Sequence, residues 1–168
     1  GTLARDLNFL NKISNRFKTN NHLINSIYKS NEMHSNWVKK ILNKNIQNKR
    51  TSILQIGLGY TSNSSTLRRS FPFQIFKSLY KKYYKKIIDE FIRLNSNEIT
   101  NFQKYFLNVN SKFSQSKFDI ILIFQDLKDN NFINKLRISN SLIIDVYSKN
   151  KKYLKNKNIK YISYEEEN

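Results

Sequence analysis

The sequence has no cysteine, three glycines, one proline and a single alanine, Ala4. The absence of cysteine excludes disulfides, thiolate nucleophiles, zinc–thiolate centres and iron–sulfur clusters. No stretch approaches the roughly 18 apolar residues of a membrane span, and residues 1–18 lack the continuous apolar core of a secretory signal. A core must therefore be built from Ile, Leu, Phe and Tyr. The hydrophobic fraction of 39% and the aromatic fraction of 14% suffice for one.

Acidic residues are also scarce relative to basic ones. The chain has 30 Lys and Arg against 12 Asp and Glu, a formal net charge of +18. A domain with this much like charge repels itself, and nucleic-acid phosphates are the common partners that offset the repulsion by releasing counterions. The alternative is a solvated surface in a Lys-rich and Asn-rich proteome. The same composition suggests an AT-rich genome, such as that of an organelle.

Hydrophobic periodicity predicts both helices and strands along the chain. The helices are expected at 3–18, from a cap at Ser30 or Asn31 through Asn45, at 74–94, and at 96–109 with Ser96 as the cap. Residues 22–28 fit either a strand or a helix. The strands are expected at 52–60, 118–124 and 141–147, with a possible last strand at 160–164. Residues 126–137 are expected to form a loop and a short helix.

Apolar strands that alternate with helical segments favour an α/β fold. We predict a three-layer Rossmann-like domain with a mostly parallel sheet, plus an N-terminal helical arm. The predicted boundaries are residues 1–20 for the helical arm, 21–164 for the α/β domain and 165–168 for an acidic tail.

The segment ILQIGLGYTS, at 53–62, places Gly57 and Gly59 at the end of a strand. Such glycines bring backbone N–H groups close to a nucleotide or sulfonium cofactor, and the stretch resembles the first motif of class I methyltransferases. A cofactor site of this type also needs an acid after the next strand to hold the ribose. Between Gly59 and Asp89 the sequence has no acid, and Asp89 itself is predicted to lie in a helix. We therefore expect no cofactor.

Candidate acid–base residues are few. The histidines are His22 and His34, and both fit a solvated or hydrogen-bonded role. Four aspartates flank predicted strands without forming a triad or a metal-ligand spacing: Asp119, Asp126, Asp129 and Asp145. The sequence therefore predicts no catalytic residue and no metal site, and we expect the protein not to be an enzyme.

Basic residues recur along the whole chain, several of them beside tyrosines. Lys and Arg contact phosphates, and Arg and Tyr also stack on unpaired bases. A distribution over many elements favours a protein embedded in structured RNA. The predicted nucleic-acid contacts are Lys39, Lys40, Arg50, Arg68, Arg69, Lys81, Lys82, Lys85 and Lys86.

The segment FDIILIFQDLKDNNFINKLRISNSLIIDVYSKN, at 118–150, resembles the small-subunit ribosomal protein S-two family. Asp119, Ile133 and Asn150 fall in step with the pattern of that family, as do the apolar strands 120–124 and 142–146. Residues 20–57 are also similar to it. The resemblance implies a non-catalytic, mitochondrial small-subunit protein bound to ribosomal RNA and to other ribosomal proteins. It implies no membrane and no small-molecule substrate.

Two alternatives stay open at this point. One is an S-adenosylmethionine-dependent methyltransferase-like protein, active or degenerate, that acts on RNA. The other is a free-standing RNA-binding module.

Overall fold

The structure is a computed structural model that describes residues 2–61, 64–79, 82–89, 91–92, 97–107, 117–127, 138, 140–154 and 159–167. The chain forms two compact units, Gly1–Asn43 and Lys44–Asn168. Within these described ranges, no helix is both long enough and apolar enough to cross a bilayer.

Two helices dominate the N-terminal region. Helix α1 spans Thr2–Arg16 and helix α2 spans His22–Asn45. The ambiguous residues 22–28 are therefore the start of α2. The predicted cap at Ser30 or Asn31 is wrong, because both residues lie inside this helix. The side-chain oxygen of Asn20 accepts a hydrogen bond from the N–H of His22 at 3.0 Å, so that the chain is capped ten residues earlier than predicted.

The second unit is built on a five-stranded parallel sheet. The strands are β1 (Ser52–Ile56), β2 (Tyr84–Ile88), β3 (Ile120–Ile123), β4 (Leu142–Asp145) and β5 (Lys160–Ser163), in the order β2-β1-β3-β4-β5. Helix α3 (Phe71–Leu79) connects β1 to β2, and a single helical turn, α4 (Tyr164–Glu167), follows β5. This is a Rossmann-like α/β fold, and the predicted fold class is confirmed.

The central strands are buried on both faces, as their apolar sequences predict. Every residue of β3 and β4 is buried. In register, Ile121 lies between Leu54 of β1 and Ile143 of β4, and all three belong to one apolar cluster. A second cluster contains Ile87 of β2 together with Phe76 of α3. Strands that are covered on both sides read as continuous apolar runs, which is why sequence patterns located them.

The predicted helix at 74–94 is wrong over its second half. Helix α3 ends at Leu79, and β2 begins at Tyr84. The residues 84–88, YKKII, combine a tyrosine and two isoleucines that suit a strand, and Lys85 and Lys86 suit the edge position of β2. Parallel pairing with β1 therefore outweighs the helical spacing of the apolar residues.

The predicted helix at 96–109 is a shorter 3₁₀ helix, Thr100–Tyr105. Its rings pack on α3: Phe102 meets Phe76 edge-on at a centroid distance of 5.4 Å, and Tyr105 meets the same ring at 5.6 Å. Aromatic packing therefore fixes this segment. The predicted cap Ser96 and most of the predicted helical segment 126–137 lie outside the described residues.

Candidate ligand site at the carboxyl edge of the sheet

The strand order places a topological switch point between β1 and β3. From β1 the chain winds out to β2 and then returns to the other side of β1. In open α/β sheets, ligands bind at such a point, outside the carboxyl ends of the strands. Gly57 follows β1 at this edge, and Phe124 and Gln125 follow β3.

Gly57 is required by its conformation and by its neighbours. Its φ of +90° is rarely open to other residues, and a Cβ there would lie 3.2 Å from Cβ of Gln125. A Cβ on Gly59 would lie only 2.2 Å from the carbonyl oxygen of Ser64. Both glycines are thus explained by close approach within the protein itself.

Asp89 lies directly after β2, and its predicted place in a helix is wrong. One carboxylate oxygen accepts the N–H groups of Leu58 at 2.6 Å and Gly59 at 3.2 Å. The other accepts those of Phe91 at 2.9 Å and Ile92 at 3.2 Å. Two oxygens offer about four acceptor sites, so these four donors saturate the carboxylate. The acid is present where a ribose-binding acid is expected, but the N–H groups of residues 58–59 and 91–92 already occupy its carboxylate.

The glycine loop spans residues 57–70, and the N–H groups of its first four residues, 57–60, all have acceptors within the protein. Gly57 donates to the carbonyl of Ile88 at 2.9 Å, and Tyr60 donates to that of Thr66 at 2.8 Å. Ser70 begins α3: its hydroxyl accepts the N–H of Phe73 at 3.1 Å and donates to the carbonyl of Leu58 at 2.6 Å. The N–H groups of residues 57–60 are therefore not available to a phosphate, unlike those in the tight turn of a dinucleotide fold.

Four aromatic residues lie at the same edge of the sheet: Tyr60, Phe71, Phe124 and Tyr147. Phe124 meets Phe71 edge-on at 5.7 Å and meets Tyr147 at 6.3 Å. Tyr60 and Tyr147 remain 37% and 39% exposed. Burial of part of its side chain, followed by the electrostatic effect of Tyr60, raises the pKa of Tyr147. The two tyrosines are therefore neighbours that face solvent beside the switch point.

Two buried glutamines flank Gly57, and sequence reasoning missed both. The side-chain N–H₂ of Gln55 donates to the carbonyls of Gly57 and Pro72, each at 3.0 Å, and its Oε1 has no partner within the described part of the chain. Gln125 is 6% exposed, and its Nε2 has no partner among the described residues either. The signal available in the sequence was a glutamine inside or next to an apolar strand.

Asn150 joins the loops that follow β3 and β4. Its side chain accepts the N–H of Leu127 at 2.8 Å and donates to the carbonyl of Gln125 and to Asp145, each at 3.0 Å. The Tyr161 hydroxyl also donates to Asp145, at 2.6 Å. These contacts give Asp145 and Asn150 a positioning role at the carboxyl edge.

The remaining candidate acid–base residues are the two histidines and two of the aspartates. His22 and His34 both lie on α2, and burial lowers the pKa of His34. Asp126 is exposed after β3, and Asp129 lies outside the described residues. Within the described ranges, no three His, Asp or Glu side chains are grouped as a metal site would require.

Within the Lys44–Asn168 unit, the described members of the predicted nucleic-acid contacts lie on different edges of the sheet. Arg68 and Arg69 are exposed in the turn before α3, at the carboxyl edge, whereas Arg50 and Lys82 are exposed before β1 and β2. Lys86 lies in β2, and its Nζ donates to the carbonyl of Lys104 at 3.1 Å. Lys39 and Lys40 are exposed on α2. Lys81 and the side chain of Lys85 lie outside the described part of the structure.

A cleft of about 850 Å³ lies at the opposite edge, where the strands begin. We call it the amino-edge cleft; its lining includes Asn48, Arg50, Asp119, Asn140, Ser141 and Lys160. Asp119 precedes β3 and accepts the N–H of Ser52 at 2.7 Å and its hydroxyl at 2.8 Å. The Ser52 N–H is the main cause of the lowered pKa of Asp119, with a smaller contribution from Lys117.

Comparisons with known proteins reveal similarity at the level of structure. No protein-family model matches the chain, and no curated protein sequence matches it. A GDP-mannose dehydrogenase from Pseudomonas aeruginosa, solved as a ternary complex, is similar with a TM-score of 0.68 and 16% identity, over 87% of this chain and 35% of that one. A UDP-N-acetyl-mannosamine dehydrogenase from S. aureus is similar with a TM-score of 0.51 and 18% identity, over 80% and 30%. The chain thus spans about a third of each of these proteins, and at this identity the likeness shows the fold alone.

Proposed function

We propose that the α/β unit binds a nucleoside diphosphate, in the form of a nucleotide sugar, at the carboxyl edge of its sheet. The observation that carries the proposal is the pair of exposed rings, Tyr60 and Tyr147, beside Gly57 at the switch point. A base stacked on such a ring gains about 1–3 kcal/mol. Stacking does not require the backbone amides that the glycine loop has already used.

The diphosphate is assigned to Arg68 and Arg69. Both are exposed in the turn that ends at Ser70, immediately before the first turn of α3. A guanidinium binds phosphate oxygens through two parallel hydrogen bonds, so it does not need the N–H groups of residues 57–60, which already have acceptors. The proteins of similar fold are named for GDP-mannose and UDP-N-acetyl-mannosamine, and both of these are nucleoside diphosphate sugars.

Adenosine cofactors suit this edge less well. Dinucleotide cofactors use an acid after β2 to hold the ribose hydroxyls, and the corresponding Asp89 already accepts four N–H groups. We therefore keep the expectation that the chain uses no cofactor, and we limit the proposal to binding.

Calorimetric titration of the 168-residue chain with GDP, UDP and GDP-mannose tests the proposal, with NAD and S-adenosylmethionine as comparison ligands. We expect saturable binding of at least one nucleoside diphosphate. Replacing both Arg68→Gln and Arg69→Gln should weaken it at least tenfold, whereas Lys39→Gln with Lys40→Gln removes the same charge from α2 and should leave it unchanged. Equal losses in the two double variants, or no binding at millimolar ligand, would refute the proposal.

The second candidate is the sequence-based one, a non-catalytic structural protein of the mitochondrial small ribosomal subunit, related to the S-two family. The observation that favours it is the exposure of Lys39, Lys40, Arg50, Arg68, Arg69 and Lys82 on different elements. In this role the chain binds ribosomal RNA and neighbouring ribosomal proteins through many weak phosphate contacts.

Sedimentation of the native protein separates the two candidates. A ribosomal protein co-migrates with small-subunit particles at moderate salt, whereas migration apart from them contradicts this role. The methyltransferase alternative has its own signature, which is saturable binding of S-adenosylmethionine that Gly57→Val abolishes.

A further inference from the structure

We propose that the amino-edge cleft binds the sugar–phosphate backbone of single-stranded RNA, as a site separate from the nucleotide site at the carboxyl edge. Its lining comes from the segments that precede β1, β3, β4 and β5 and from the first residue of each of the last three strands. All of these residues belong to the Lys44–Asn168 unit. Its volume of about 850 Å³ falls in the range of roughly 300–1,000 Å³ that is typical of ligand sites. A site of this size accommodates a short stretch of a polymer strand.

The charges of the cleft favour an anion. Arg50 and Lys160 line it and are exposed, and Lys117 is close enough to affect Asp119 electrostatically. Among the described residues that line the cleft, Asp119 is the one acid. One of its carboxylate oxygens accepts hydrogen bonds from both the N–H and the hydroxyl of Ser52, which offsets part of its charge. Two lining cations therefore face one partly compensated carboxylate, and Lys117 adds positive charge close to that carboxylate.

The uncharged lining favours a ribose-phosphate chain over an aromatic ligand. Gln47, Asn48 and Asn140 line the cleft and are exposed, and their amide groups can bond a ribose 2′-hydroxyl, the group that distinguishes RNA from DNA. No aromatic residue is among the described residues that line the cleft, so it offers no stacking surface for a base. We therefore expect recognition of the backbone with little sequence preference.

The chain as a whole supports the choice of RNA. A net charge of +18 draws polyanions to the surface, and a strand that crosses a cationic cleft releases its condensed counterions. The inference does not depend on nucleotide binding at the carboxyl edge. It gives a location to part of the RNA contacts that the second candidate function requires.

Fluorescence anisotropy with a labelled twelve-nucleotide oligouridine tests the inference. We compare the wild-type chain with two double variants, Arg50→Gln with Lys160→Gln in the cleft and Arg68→Gln with Arg69→Gln at the carboxyl edge. Both remove two exposed charges. Each phosphate contact to a single strand contributes about 0.7 to the slope of log affinity against log salt, so the cleft variant should lose about 1.4 in slope. The carboxyl-edge variant should lose clearly less slope than the cleft variant.

Three results would overturn the inference. They are equal slope losses in the two variants, an unchanged slope in the cleft variant, and equal affinity for the deoxy oligonucleotide or for heparin. Titration of both variants with GDP keeps the two proposals distinguishable, because only the carboxyl-edge variant should lose GDP affinity. A cleft variant that loses RNA affinity and keeps GDP affinity supports the RNA site alone.

Discussion

The carboxylate of Asp89 is expected to stabilise the glycine loop, and Asp89→Ala tests this directly. The substitution leaves the N–H groups of Leu58 and Gly59 without their acceptor. Both residues are buried, and a buried donor that loses its partner costs about 1–3 kcal/mol, so the pair costs about 2–6 kcal/mol. Phe91 is exposed, and its N–H can turn to water at little further cost, whereas the N–H of buried Ile92 also loses its acceptor and adds about 1–3 kcal/mol.

Asp89→Asn should be milder. Its single carbonyl oxygen can still accept the two inner N–H groups, while its N–H₂ group cannot accept those of Phe91 and Ile92. We expect a loss of about 1–3 kcal/mol, between wild type and Asp89→Ala. The control is Asp6→Ala, which removes an exposed carboxylate paired with Arg5 at 3.2 Å and should cost less than about 1 kcal/mol.

Urea unfolding gives the free energies of unfolding, and amide hydrogen exchange reports on the individual N–H groups. In Asp89→Ala, the amides of Leu58 and Gly59 should exchange much faster than in wild type. The amides of β4 should remain protected from exchange, in the same order as in wild type. The reasoning is refuted if Asp89→Ala stays within about 0.5 kcal/mol of wild type and the two loop amides remain protected.

Three further predictions concern other polar groups. Asn150→Ala should reduce the free energy of unfolding by about 2–4 kcal/mol, because it strands the buried N–H of Leu127 and removes the donor to the Gln125 carbonyl; a loss under about 1 kcal/mol by urea unfolding would contradict its positioning role. The pKa of Asp119 is lowered from its ordinary value of 3.8, so its carboxylate contributes stability above pH 3.8 that is lost as the pH falls through the pKa of the folded state. Asp119→Asn should therefore make the free energy of unfolding, measured by urea unfolding, less dependent on pH in this acid range. The pKa of His34 is lowered from 6.5, so protonation opposes folding and stability should decline as the pH drops below 6.5; His34→Gln should remove this decline in thermal melts.

The strands β1, β3, β4 and β5 could be predicted from sequence because buried parallel strands leave short apolar runs. Strand β2 could not, because Ile87 and Ile88 also continue the helical spacing of the apolar residues 76–83, with the two lysines off that stripe. Only its pairing with β1 distinguishes the alternatives, and a local pattern does not contain that pairing.

The misassignment of β2 also hid Asp89. In dinucleotide-binding folds the helix starts at the glycine turn, and the ribose-binding acid follows the glycines by about 20 residues. Here α3 starts only at Phe71, so β2 and the acid that follows it come later in the chain. The sequence held a signal for this delay, since Ser70 and Pro72 mark a helix start. The bonds that occupy the carboxylate could be found only in three dimensions.

The two proposed sites should act independently, because the sheet separates them. Strands of four or five residues at about 3.3 Å each span about 13–17 Å, which exceeds the Debye length of about 8 Å at physiological salt. The charge of a diphosphate beside Arg68 and Arg69 is therefore largely screened at Arg50 and Lys160. Saturation with GDP should leave the affinity for RNA within about twofold of its value without GDP at physiological salt, and the coupling should grow as the salt concentration is lowered. A strong coupling that persists at high salt would require a conformational link through the sheet, because direct electrostatics would then be screened.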